Sequence, residues 1–219
     1  MDAPAFFSVR RQAALAGLFA LLWVAPAGRA QELKAIQLPK PQMTAGMPLM
    51  QALAERKTTR AFLDKPLPEQ TLSNLLWAAF GVNRPRIVKQ GLGRTAPSAM
   101  NKQEIEIDVV LASGVYVYDA EANLLRPVVG GDERAKMGAS PAGQAAVTLV
   151  YVAQANLDYA QVDTGFIGQN VYLFAASEGL NAWFYALHGQ QGATEVAAAL
   201  KLPAGKRPLY AQSIGYPPK

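Results

Sequence analysis

Cysteine is absent from all 219 residues, and histidine occurs once, as His188. The first absence removes thiolate nucleophiles, disulfides, iron–sulfur ligation, cysteine-based zinc sites and a lipid-modified cysteine anchor. The second leaves a Ser-His-Asp triad with His188 alone to draw on, and no Gly-x-Ser-x-Gly elbow accompanies it. No metal site is read from the residues that remain. A redox reaction run by this chain therefore needs a bound cofactor to carry the electrons. Charge is also sparse: 17% of residues are charged and 51% are hydrophobic, the balance of a globular protein with a substantial core. Neither an internal repeat nor a low-complexity segment is present. The length suits one domain with appendages.

The first thirty residues read as an export signal. Arg10 and Arg11 form a positive start, Ala13 to Val24 is an apolar run too short for a comfortable membrane span, and Pro26 to Ala30 ends in small residues. Cleavage is expected after Ala30, and an uncleaved N-terminal anchor is the alternative. The arginine pair also permits twin-arginine export. The expected location is periplasmic or secreted, with no stable membrane insertion after cleavage. With Arg10, Arg11, Arg29 and Asp2 set aside, 18 basic and 15 acidic residues remain, a net +3. That mild balance does not support a nucleic-acid partner.

Residues 31–47 hold prolines and little periodicity and read as an extended arm; the folded domain is expected over 48–219. Pro48 opens a short helix to about Arg56. Pro68-Glu69 opens a clearer one, with Leu72, Leu75, Leu76 and Ala79 at helical spacing and Gly81 as its stop. Trp77 and Phe80 are expected in the core. Residues 82–103 show no period, and a connection that long inside a compact domain is usually functional or mobile. Alternation over Ile105–Leu111 and Val115–Asp119 predicts a hairpin, with a third strand over 123–129. A short helix capped by Asp132 and a central strand over Ala145–Ala153 follow. Residues 163–178 predict the longest helix, apolar on more than one face and so covered on both sides. A strand at Asn181–Leu187, a helix at Thr194–Leu200 and a strand at Pro208–Gly215 complete an α+β domain.

Two stretches carry chemistry. Arg56-Lys57-Thr58-Thr59-Arg60 packs three cations and two hydroxyls into five residues. Arginine offers a rigid fork of donors to phosphate oxygens, lysine a point charge and threonine a neutral donor. The segment reads as a phosphate anchor for a nucleotide-like cofactor or as a solvated basic turn. In Pro97-Ser98-Ala99-Met100-Asn101-Lys102-Gln103, Pro97 offers no N–H while Ser98, Asn101 and Gln103 can meet a polar ligand edge.

In order along the chain come Arg56-x-Thr58-x-Arg60-x-Phe62, Ala96-Pro97-Ser98-Ala99-x-Asn101-x-Gln103, Gly168-Gln169-Asn170 leading to Ala175-Ala176-x-x-Gly179-Leu180, Leu200-x-Leu202-Pro203, and Ile214-Gly215-Tyr216-Pro217. This series resembles the FMN-dependent nitroreductase-like flavoproteins, and within them the azoline-oxidising dehydrogenases of modified-peptide pathways. The resemblance implies a mixed or antiparallel central sheet flanked by helices, a homodimer, and one FMN in each of two interface clefts. It implies that Arg56 and Thr58 hold the flavin phosphate beside Lys57. Arg60 would face the pyrimidine edge of the ring, where a fixed cation stabilises the negative charge of reduced flavin. Pro97, Ser98, Ala99, Met100 and Asn101 would line the ring and ribityl chain, and Leu187, His188 and Gly189 would approach its redox-active side. His188 reads equally as a structural histidine. Lys206, Arg207 and Lys219 are the candidates for a third phosphate contact. The implied activity is two-electron or hydride transfer to or from a small organic substrate. A flavin- or ligand-holding periplasmic protein of the same fold is the reading from a different class.

Overall fold

Apolar residues at every second position along the middle of the chain build an antiparallel sheet with two covered faces. The computed structural model describes Met1 and residues 32–44, 46–87, 91–154, 158–187 and 192–218. The expected export signal lies outside the described residues. The elements run β1 (Ile36–Gln37), α1 (Leu49–Glu55), α2 (Glu69–Phe80), β2 (Val82–Ile87), β3 (Gly91–Arg94), β4 (Glu106–Leu111), β5 (Gly114–Asp119), β6 (Leu124–Gly130), β7 (Val147–Gln154), α3 (Ala160–Ser177), β8 (Asn181–Ala186), α4 (Gly192–Ala199) and β9 (Lys206–Gly215). Single 3-10 turns occupy Ala99–Asn101, Arg134–Lys136 and Ser140–Gln144.

Seven strands form one sheet in the order β1-β6-β5-β4-β7-β9-β8, and each pairing is antiparallel. On one face, Ile107, Val109, Leu149, Tyr151 and Ile214 pack against Leu72, Leu75 and Leu76 of α2 and Ile167 and Val171 of α3. On the other, Val110, Val115, Val150 and Ala211 meet Met137, Ala142, Val196 and Leu200. The buried polar groups of the sheet are paired across strands. Thr148 and Ser213 share a 2.9 Å bond. The Tyr151 hydroxyl donates to Gln212 at 2.7 Å, and Gln212 Nε2 donates to Gly168 O at 3.2 Å. Gly168 lets α3 close onto β8, because a Cβ there would stand 2.7 Å from the Phe184 ring.

One expectation gains detail and one needs correction. The arm supplies the edge strand β1, which pairs with β6, and then crosses α2 and α3. Ser73 Oγ bonds Pro39 O at 2.5 Å, Asn74 Oδ1 accepts from Gln42 N at 2.9 Å, and Ser177 Oγ accepts from Met47 N at 2.7 Å. The aperiodic stretch after Gly81 is a hairpin of β2 and β3, a two-stranded sheet separate from the main one with two register shifts. Bulges, Pro85 and two glycines erase the period-two pattern by which a strand is read. Other boundaries differ by a few residues. The longest helix starts at Ala160, three residues earlier than expected, and the short helix after Asp132 is a 3-10 turn whose Arg134 N–H donates to Asp132 Oδ1 at 3.1 Å.

Asp108 stands out in the core. It lies on β4 among apolar neighbours at 1% exposure, and its Oδ1 has no hydrogen-bond partner among the described residues. Burial, and then the Glu106 carboxylate, push its pKa up to about 8, and Lys206 offsets part of this. The folded chain therefore keeps a proton that the unfolded chain releases near pH 4. This group costs no stability below about pH 4, and the cost grows by at most about 1.4 kcal/mol per pH unit until about pH 8. Asp108→Asn should leave the melting temperature near pH 4 unchanged and raise it at pH 8, flattening the profile between. Thermal melts of both proteins across that range check it, and parallel profiles would show that Asp108 does not titrate there.

Candidate functional site

The cationic segment follows directly from the end of α1 and lies along the free edge of β8. Among the described strands β8 pairs with β9 alone, so half of its backbone groups face outward. Thr59 takes two of them: its N–H donates to Ala182 O at 2.9 Å, and Ala182 N–H donates to Thr59 Oγ1 at 3.2 Å. Asn181 Nδ2 donates to Ala61 O at 2.7 Å. Arg56 sits over the ring of Tyr172 on α3, with Cζ 5.4 Å from its centroid, and Arg60 sits over Trp183 on β8 at 5.2 Å. Thr58 Oγ1 is 2.9 Å from the Tyr172 hydroxyl. Lys57 borders a cavity of about 450 Å³ together with Tyr172, Gly179, Asn181 and Pro217.

The chain beyond the segment is clamped. Phe62 is buried against Gly215, and Leu63 N–H donates to Tyr216 O at 2.9 Å. Asp64 accepts from Arg134 Nη1 at 2.9 Å. That guanidinium is itself buried; it gives Nη1 also to Ala145 O at 2.8 Å, and Nε and Nη2 to the two oxygens of Asp132. The Arg134 fork holds Asp132 below the usual carboxylate range. Cations displayed on aromatic faces, on a backbone tied at both ends, make a fixed cationic strip.

The second stretch is held at the other end of α3. Both oxygens of Asp163, in the first turn of that helix, accept the Ala99 N–H at 3.0 and 3.1 Å. Met100, Asn101 and Gln103 all have left-handed backbones, with φ of 52°, 53° and 51°. Such residues cost of order 1 kcal/mol each and persist where the surroundings impose them. Ser98 Oγ accepts Gln103 N–H at 2.9 Å. The Gln103 amide accepts from Arg94 Nε at 2.8 Å and donates to Asn101 Oδ1 at 2.8 Å and to Leu92 O on β3 at 2.5 Å. Burial raises the pKa of the neighbouring Glu104, its own backbone N–H pulls it back, and Asp163 raises it again.

The family model described as the nitroreductase family matches residues 53–216 of this sequence. The chain belongs to the nitroreductase family. A protein of Methanocaldococcus jannaschii, provisionally named a nitroreductase, is 31% identical over 153 residues, which cover 60% of this chain and 75% of that protein. A crystal structure from Ralstonia eutropha JMP134, provisionally described as a nitroreductase, shares 35% identity at a TM-score of 0.75, over 84% of this chain and 90% of that one. A structure from Clostridium difficile R20291, described as an FMN-dependent nitroreductase, shares 18% identity at a TM-score of 0.56 over 78% of this chain and 88% of that one, a likeness of fold.

In this nitroreductase-family chain Arg56, Lys57, Thr58 and Arg60 come together, and so do Pro97, Ser98, Ala99, Met100 and Asn101. The two groups do not meet within the chain. Asp163, which holds the second, precedes Tyr172, which holds the first, by nine residues of one helix, about 14 Å of rise. The cavity beside Asn101, about 290 Å³, is distinct from the one beside Lys57. Leu187 is buried at the far end of β8, and His188, Gly189 and Lys219 lie outside the described residues. Lys206 and Arg207 open β9, whereas Ile214 and Ser213 near its other end pair with Ala182 and Trp183 beside the strip, so strand rise puts both roughly 20–27 Å from it. Lys206 bonds Glu106 at 2.8 Å instead. Sequence reasoning missed Tyr172, Trp183, Asp163 and Arg134. An acidic residue in a helix's first turn is the one local signal among them; the other three act through tertiary contacts.

Asp163→Ala removes the carboxylate that holds the left-handed loop. Loss of a charged hydrogen bond to backbone costs roughly 2 kcal/mol. Trypsin cleavage after Lys102 should accelerate at least tenfold while far-ultraviolet circular dichroism stays as in the wild type. An unchanged cleavage rate would assign the loop's order to the Gln103 bonds alone.

Proposed function

We propose that this chain is an exported FMN-dependent oxidoreductase that moves two electrons to or from a small organic substrate, with two copies completing each site. The observation that carries the reading is the cationic strip on the edge of β8. Its donor set, two guanidiniums, an ammonium and a hydroxyl within five residues, fits a dianionic phosphate monoester and has no comparable use for a neutral ligand. FMN, when bound, supplies the electron chemistry that a chain without cysteine cannot supply from its own side chains. Arg56 and Thr58 bind the phosphate with Lys57 beside them. Arg60, steadied on Trp183, places a fixed positive charge further along β8.

The loop from Pro97 to Asn101 completes the site from a second copy, which resolves its separation from the strip. Apolar side chains support that assembly. Leu49 and Met50 on α1 and Val162 and Phe166 on α3 are exposed, at 62%, 76%, 55% and 43%. A second copy laid against these two helices removes that surface from water. The motif order quoted above favours the azoline-oxidising branch within the family. Export rests on the Arg10-Arg11 start, the apolar run to Val24 and the small residues up to Ala30. Nicotinamide cofactors are scarce outside the cytoplasm, so an organic substrate or a partner protein serves as the electron source.

Protein recovered from the exported fraction should begin at Gln31, elute as a dimer and carry the yellow flavin band, and after photoreduction an electron acceptor should reoxidise it. Arg56→Ala should weaken FMN roughly tenfold to a hundredfold and leave the dimer intact. A colourless dimer that takes up no added FMN would defeat the flavin reading. A bound flavin that cannot be reduced and reoxidised would make the protein a holder rather than an enzyme.

A further inference from the structure

Tyr172 touches the cationic strip and the sheet edge with the same hydroxyl. The Phe184 N–H, on the side of β8 turned away from β9, donates to that oxygen at 2.9 Å. Thr58 Oγ1 lies 2.9 Å from it on the other side. A phenol has one proton to give and lone pairs to receive with. Either hydroxyl can donate across this pair; with the amide N–H already donating to the Tyr172 oxygen, the arrangement in which the phenolic proton turns toward Thr58 Oγ1 gives a chain from Phe184 N–H through Tyr172 to Thr58. The hydroxyl proton of Thr58 is then left to point at whatever acceptor comes next, and Thr58 is exposed. Bonds in such a chain polarise one another in the same direction, so the last donor is strengthened. The ring of the same tyrosine lies under the Arg56 guanidinium, 5.4 Å from Cζ. One side chain thus orients both a neutral and a charged donor, and does so on a helix rather than on the mobile part of a loop.

We infer that Tyr172 is a positioning residue for anion binding: it turns Thr58 into an outward hydrogen-bond donor and holds Arg56 beside it, so that a phosphate monoester meets a pair already arranged. The inference rests on the flavin reading above and goes beyond it in naming the group that sets the grip. Arranged donors lose less freedom on binding than free side chains do, and that difference appears as affinity for the phosphate alone. Riboflavin lacks the phosphate, so the contribution of the phosphate can be separated from that of the rest of the molecule.

Tyr172→Phe keeps the ring under Arg56 and removes the hydroxyl; Thr58→Val keeps the shape of Thr58 and removes the last donor. Flavin-stripped full-length protein is titrated with FMN and with riboflavin, which lacks the phosphate, and binding is followed by quenching of flavin fluorescence. Each variant should bind FMN roughly fivefold to tenfold more weakly and riboflavin as the wild type does. The double variant should be no weaker than the weaker single one, because both remove the same relay. Unchanged FMN binding by either variant overturns the inference. So does an equal loss of FMN and riboflavin in Tyr172→Phe, which would mark a packing role. Thr58 is exposed, so Thr58→Val still reports where Tyr172→Phe folds poorly. A wild type that binds both flavins equally puts the phosphate elsewhere and overturns the inference while sparing the cofactor; a wild type that binds neither overturns both.

Discussion

The outer edge of β8 is the constraint around which this molecule is arranged. An edge strand leaves backbone donors and acceptors open, and another chain can pair with them. Here Thr59 satisfies Ala182 twice, and the Tyr172 hydroxyl satisfies Phe184. The backbone need of the sheet is what brings the segment from Arg56 to Arg60 to this place. Thr59 is used up in the bonding, while Arg56, Thr58 and Arg60 are left on display against aromatic rings. The downstream clamp at Phe62, Leu63 and Asp64 keeps the segment from peeling away. Edge pairing and cation display therefore draw on neighbouring residues of one short stretch, with different side chains assigned to each.

The other end of α3 is built on a different principle. The loop from Ser98 to Gln103 holds three non-glycine residues in a backbone region that side chains disfavour. It is kept there by hydrogen bonds from three directions: α3 through Asp163, β3 through Leu92 and Arg94, and the loop itself through Ser98. A shape so over-determined is poorly suited to a mobile flap and well suited to presenting a fixed surface. One helix carries the supports of both stretches, Asp163 near its start and Tyr172 past its middle, so the distance between them is set by helix geometry.

Much of this was legible in the residues, and the parts that were not have physical causes. Alternation in Ile105–Asp119 and the apolar run before Ala153 located the middle of the sheet, because a sheet packed on both faces leaves a strong pattern. Pro68, Glu69 and Gly81 bracketed α2 to within a residue. The cationic strip was visible from composition alone. β1 was not, since two residues in a proline-rich arm carry no periodicity, and β2 and β3 were not, since bulges and glycines break theirs. Tyr172 carries no local signal on a helix that reads as apolar on more than one face. Only the fold reveals that its hydroxyl ends beneath Thr58. Lys206 shows the reverse: a basic residue near the end of the chain, plausible by type, carried by β9 to the far end of the sheet.

Sheet order also has a bearing on the timing of assembly. β8 touches the main sheet only through β9, the latest strand in chain order, which inserts between β7 and β8. A growing polypeptide makes the residues from Arg56 to Arg60 early, yet the ledge they rest on cannot exist until Lys206 to Gly215 have emerged and docked. Placement of the cationic segment is thereby postponed to the last stage of maturation. Loss of the final strand would cost the cationic segment its ledge before it cost the central layers their packing.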